Sequence, residues 1–223
     1  MANPDFKRIR DSDFTEYHYE LFPDTLNRYG YKQSFQLWKQ GINEGLLLPQ
    51  FHGREHINVA LWMNALRQND QDTMVAFNFG MTGIFPKSNH LRGNKMMVAL
   101  NDNGFESSAN LDYILKDGLT LFEGVFGFQS RTFMAPVFTW RPEIERTLAV
   151  NGIQGIQGAF RQIVPHGKSI SHTLGSRSRD GLYYLTRNCS FEPATNNSTV
   201  SQCMHEIEKA FYWRKPAVIS SHR

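Results

Sequence analysis

The chain has 223 residues, 20% of them charged, 40% hydrophobic and 13% aromatic with 17 Phe, a balance that excludes disorder along its length. Its formal charge of +3, from 24 Lys and Arg against 21 Asp and Glu scattered without a basic tract, gives no reason to expect nucleic acid as a partner. No run of 18 apolar residues occurs and MANPDFKRIRDSDF holds no signal-peptide core, so neither a membrane span nor export is expected of the chain as written, and the expectation is a cytoplasmic location.

One compact domain over residues 1–223 is the expectation from length. Residues 1–30 are polar and aromatic with little periodicity. From Lys32 to Glu44, Phe35, Trp38 and Ile42 recur at helical spacing, predicting a helix that stops at Gly45. The apolar run Leu46 to Phe51 reads as a buried strand or its end, with Pro49 at an edge, and Ile57 to Gln68 reads as a helix beginning near His56. Asp70 to Gly104 has a loose pattern punctuated by glycine and proline and is expected to be a long irregular connection.

Further on, Ser107 or Ser108 caps a predicted helix running to about Gly127, with Leu111, Leu115, Leu119 and Phe122 on one stripe. Arg131 to Ala135 is a strand candidate, Arg141-Pro142-Glu143 opens a helix ended by Asn151-Gly152, and Ile153 to Gln157 is a second strand. A polar loop is expected from Arg161 to Gly181, with His166 and His172 read as loop residues. The chain closes with a strand over Leu182 to Phe191, an amphipathic helix over Thr199 to Lys215 carrying His205 on its surface, and an apolar strand from Pro216 to His222. Strand and helix alternating in this way argue for an α/β layer with parallel strands. Cys189 and Cys203 lack metal or redox spacing and are read as ordinary thiols.

The residue types that ask for chemistry are HGREH, His52 to His56. Two imidazoles at i and i+4 converge on one ion either along a helix or across a turn into one, and a catalytic zinc needs a third protein ligand besides. The same residues also fit a structural reading in which His52 packs at a strand end while Glu55 and His56 cap a helix. An inverted zinc-protease signature, H-x-x-E-H, fits His52, Glu55 and His56 literally, with Glu55 as general base and a later glutamate such as Glu123 completing the site.

Three segments taken together point elsewhere. PQFHGREHINV, SRTFMAPVFTWRPEIERTLAVNGI and KPAVISSHR resemble, in order, successive motifs of the polysaccharide deacetylases of the carbohydrate-esterase type, a likeness spanning Leu46 to Arg223. The resemblance implies an α/β fold of the deformed (β/α) barrel kind. It implies zinc or another divalent metal on His52 and His56 with an aspartate, and His222 as the catalytic acid. It also implies a carbohydrate groove lined by Pro136 and its neighbours, with Trp140 either a core residue or a sugar-stacking wall of that groove, and Arg131 substituting for an arginine that the family carries at the position of Met134. The implied activity is hydrolytic removal of N-acetyl or related acyl groups from a carbohydrate in bacterial surface-polysaccharide metabolism.

The family's Asp-Asp pair has no counterpart here; Asp11-Ser-Asp13 follows KRIR rather than a buried strand, and Asp102 in the long connection is either a substitute ligand or, more in keeping with its neighbours, a turn residue beside Asn103-Gly104. The expectation is therefore an incomplete barrel, active or inactive according to whether another residue supplies the third ligand. The alternative is a non-catalytic, carbohydrate-binding remnant of that fold. An open barrel would expose strand edges, so self-association is expected of the isolated chain.

Overall fold

The computed structural model describes residues 1–83, 96–101, 108–165, 168–193 and 197–221. It is a mixed α/β structure in two compact units, Met1–Ser130 and Arg131–Arg223. His222, His166 and Asp102 lie outside the described residues. No described helix is long and apolar enough to cross a membrane.

The first unit is mainly helical. Strand β1 (Ala2–Pro4) pairs antiparallel with β2 (Tyr19–Leu21), and helix α1 (Phe6–Asp11) between them is capped by Asp5, whose side chain accepts from the Arg8 N–H. Helices α2 (Phe22–Arg28) and α3 (Lys32–Asn43) follow, α2 opening with a proline where a missing N–H costs nothing. Helix α4 (Val59–Arg67) begins at Asn58, whose Oδ1 accepts from the Leu61 N–H at 2.9 Å. This corrects the start expected near His56, because Asn58 is extended and its side chain, not a histidine's, closes the first turn.

Two further corrections concern the flanks of α4. Leu46 to Gln50 forms no strand: Leu46 and Leu48 are 80% and 69% exposed, and of the run only Phe51 is buried and makes a β-bridge. The stretch after Asp70 is not wholly irregular, since helix α5 (Gln71–Asn78) starts there with the Asp70 carboxylate accepting from Thr73. Helix α6 (Ser108–Phe126) matches its expectation, burying Leu111, Leu115 and Phe122. The unit's core joins Ile9, Ile57, Trp62, Met63, Leu66 and Phe77, with Phe6 set edge-on to Trp62 at 6.0 Å.

The second unit carries the alternating elements. Strands β3 (Thr132–Met134), β4 (Gly155–Gly158) and β7 (Tyr183–Thr186) form a parallel sheet in the order β3-β4-β7, with Phe133 opposite Ile156 and Ile156 opposite Tyr184. Helix α7 (Ile144–Val150) connects β3 to β4. Within the expected polar loop lies an antiparallel pair, β5 (Arg161–Val164) and β6 (Lys168–Ser171), whose alternation is short and hidden among serines. Strand β8 (Cys189–Ser190) pairs in parallel with β9 (Ile219–Ser220) across helix α8 (Val200–Tyr212), which Thr199 and Gln202 start as a reciprocal capping box.

His172 lies just past β6 and is buried rather than solvated. It is 7% exposed, stacked on Tyr184 with ring centroids 3.6 Å apart, and its Nε2 is 2.7 Å from Gln162 Oε1. Burial lowers its proton affinity, so below the ordinary histidine pKa of about 6.5 the unfolded chain takes up a proton that the folded chain refuses. Stability is full above that pH and falls as pH drops through it, by no more than about 1.4 kcal/mol per pH unit. Glu145, raised by burial, pulls the opposite way, because the folded state holds its proton more tightly than the unfolded state does. The comparison that isolates His172 is urea unfolding at pH 7 and pH 5 for the wild type and His172→Gln. The variant is expected to lose less stability on acidification, and equal losses would rule out the histidine as the source.

Candidate metal centre

The histidine pair sits on a coil held from three sides. The Phe51 N–H donates to Ser130 Oγ at 3.0 Å, the Phe51 ring meets Phe122 of α6 edge-on at 6.3 Å, and the Ala2 N–H donates to the Arg54 carbonyl at 2.7 Å. Gly53 has φ +98°, a turn that residues with a side chain rarely make. Burial then alternates in favour of the imidazoles: Gly53, Arg54 and Glu55 are buried, His52 is half-buried and His56 is exposed. The two rings lie 5.1 Å apart at their centroids, inclined at 67°. Imidazoles sharing a tetrahedral zinc, with Zn–N near 2 Å, have centroids roughly 5 Å apart, so the separation matches that of a two-histidine seat.

Between the histidines lies a charged knot that faces inward. Arg54 donates from Nε to Glu55 Oε1 at 2.6 Å and from a terminal nitrogen to Asp117 Oδ2 at 2.8 Å, with its guanidinium 4.9 Å from the centre of the Tyr19 ring. The Tyr19 hydroxyl donates to the same Asp117 oxygen at 3.1 Å. Burial pushes the Glu55 carboxyl up against the opposing pull of Arg54, and burial beside that carboxylate pushes the Tyr17 phenol well above its usual range. The buried Tyr17 hydroxyl has no partner at ordinary hydrogen-bond distance among the described residues.

This knot bears on the inverted-protease reading. That signature needs a helix through both histidines, yet no helix runs over residues 52–56, and Glu55 is tied to Arg54 rather than turned to the imidazoles. Glu123, the glutamate suggested to complete it, is exposed and accepts from Gln129 at 3.2 Å. Among the described residues no group of three His, Cys, Asp or Glu side chains is placed to hold a metal ion.

The other expected site residues that the structure describes, Arg131, Pro136 and Trp140, are in the second unit. Pro136 follows β3 and is buried, whereas Arg131 precedes β3 and is exposed. Trp140 is 1% exposed; its indole N–H donates to Glu145 at 2.9 Å, which makes it a core residue and not an open platform for a sugar ring. Protein-family models, curated proteins and solved structures give no match to this chain.

The residues that shape the centre but escaped sequence reading are Arg54, Asp117 and Gly118. Gly118 is the one with a signal: a glycine inside a strongly periodic helix costs about 1 kcal/mol against alanine and asks for a packing reason. The reason is contact. A Cβ at Gly118 would stand 2.9 Å from the Phe51 ring, 3.0 Å from Arg54 Cβ and 3.1 Å from the Arg54 backbone nitrogen. Gly118→Ala is therefore expected to destabilise the chain by about 1–2 kcal/mol, crowding outweighing the gain in helix propensity, and to move the imidazole signals of His52 and His56 in NMR spectra. A stabilisation of about 1 kcal/mol with unmoved histidine signals would show that α6 does not press on the segment.

Proposed function

We propose that the chain is a metal-dependent deacylase acting on an acylated carbohydrate, of the polysaccharide deacetylase kind. The observation that carries this reading is the imidazole pair of His52 and His56, 5.1 Å apart and outermost on a segment whose intervening residues are buried. A divalent metal held there supplies Lewis acidity and, near neutral pH, an activated water for amide hydrolysis. The products are a carboxylate and a protonated amine, with water contributing its oxygen to the first and both its protons to the second.

The residues of this chain divide the remaining work. His52 and His56 hold the metal, the Arg54–Glu55–Asp117 knot fixes the backbone between them, and His222 protonates the departing amine, a role that rests on its resemblance alone. The third ligand is the missing part, and Asp102 is its candidate. In the same reading the parallel β3-β4-β7 sheet and the β8–β9 pair are arcs of a deformed (β/α) barrel of the deacetylase type. A carbohydrate-binding remnant is the competing reading, favoured by the absence of a three-residue group among the described residues.

Zinc titration by calorimetry at neutral pH decides between them. A deacylase binds one zinc per chain, His56→Ala weakens binding by about 100-fold or more, and acetate is released from N-acetylated oligosaccharides by the wild type but not by His222→Ala. A chain that binds oligosaccharide equally well with and without a chelator, and never takes up a stoichiometric zinc, is the remnant.

A further inference from the structure

The first unit holds a pocket of about 520 Å³ that opens beside the histidine pair. Phe22, Trp38, Leu47 and Phe126 supply its apolar walls, and Gln50 and His52 are among its polar groups. The aromatic side is packed as a unit, with Phe22 centred 5.5 Å from Trp38 and 5.9 Å from Phe126. Pockets of this volume suit ligands far larger than an acetyl group, which would leave most of the wall without contact. A sugar ring is poorly matched too, since its hydroxyls would lose water against aromatic and aliphatic side chains that return no hydrogen bonds. What fits is an apolar body with one polar end, and His52 belongs to both the pocket and the imidazole pair.

We infer that this pocket is an acyl-binding subsite, taking an unbranched aliphatic chain longer than acetyl with its carbonyl end at His52. The fate of that carbonyl rests on the deacylase reading; the binding of the chain does not. On this account the preferred substrate is an N-acylated or O-acylated carbohydrate bearing a medium-length acyl chain, and acetylated sugars are turned over at the same centre but less efficiently.

The test uses the full chain freed of metal with a chelator, titrated calorimetrically with acetate, butyrate, hexanoate and octanoate below their micelle-forming concentrations. Affinity is expected to rise roughly threefold to fourfold for each added methylene. Leu47→Gln, at a partly exposed wall position, is expected to weaken octanoate binding about tenfold, while Leu46→Gln, 80% exposed and outside the wall, leaves it unchanged. Affinity independent of chain length, or equal effects of the two substitutions, overturns the subsite. So does a dimer in sedimentation that covers the pocket and that octanoate does not disturb.

These outcomes separate the subsite from the activity. Length-dependent binding in a chain that takes up no zinc and hydrolyses no amide keeps the subsite and removes the deacylase. Zinc binding and acetate release with length-independent binding do the reverse.

Discussion

Arg54→Ala is expected to lower the stability of the first unit by about 3–5 kcal/mol, a large fraction of what holds a domain together. The Arg54 side chain is 7% exposed and its partner Glu55 2% exposed, so removing the guanidinium strands a carboxylate away from water and takes a donor from Asp117. The loss reflects that stranded charge rather than the net worth of the pair. Replacing both partners with apolar residues, Arg54→Met with Glu55→Met, is accordingly expected to cost far less than Arg54→Ala alone, although it still takes a donor from Asp117. Urea unfolding of both variants reads the difference. A loss under 1 kcal/mol in the single variant would mean that the pair is open to solvent. Because Arg54 lies between the two imidazoles, zinc affinity measured on the single variant is expected to fall as well.

The second large effect is in the other unit. Trp140→Ala is expected to cost about 3–5 kcal/mol, and Trp140→Phe about 1 kcal/mol, in thermal or urea unfolding. The alanine variant empties the space between α7 and the ring of His172, whose centroid is 6.1 Å from that of Trp140. The phenylalanine variant keeps most of the volume and forfeits the hydrogen bond to Glu145, whose two oxygens still accept from the Tyr184 hydroxyl at 3.0 Å each. The backbone of Trp140 is bound separately, its carbonyl accepting from Gln162 at 2.8 Å. Under conditions where Trp140→Phe remains folded, its affinity for oligosaccharides is expected to equal that of the wild type. A selective loss of sugar binding in that variant would return Trp140 to the groove wall.

Legibility in the sequence followed element length. Helices α3, α6 and α8 announce themselves through several turns of one period, and the strand–helix alternation after Arg131 appears as the parallel pairs β3-β4-β7 and β8-β9. Residues 1–30 gave nothing because their elements are three to seven residues long and are fixed by partners distant in sequence, as when β1 donates from Ala2 to Arg54. Helix α5 presents too few turns for a period to show, and it lacks the opening proline that marks the still shorter α7.

The candidate site was legible by residue type and not by setting. HGREH marked the two imidazoles, which do come together, but the expected strand and early helix around them do not exist because Leu46 and Leu48 face solvent and Asn58 delays the helix. Trp140, which the sequence leaves open between core and groove wall, and His172, which reads as a loop residue, show that a sequence does not say whether a polar or aromatic side chain will find buried partners; here Glu145, Tyr184 and Gln162 provide them.

The coil that carries His52 and His56 sets how an ion would come and go. Where both ligands project from one helix, backbone hydrogen bonds fix their separation before the ion arrives. Here the spacing is kept by side-chain and packing contacts around Phe51, Gly53 and Arg54, which yield more readily than a helix does. If the seat takes an ion, as proposed, its affinity is set by contacts outside the ligands themselves, and substitutions at Phe51 or Arg54 that loosen the coil would raise the ordering cost of binding.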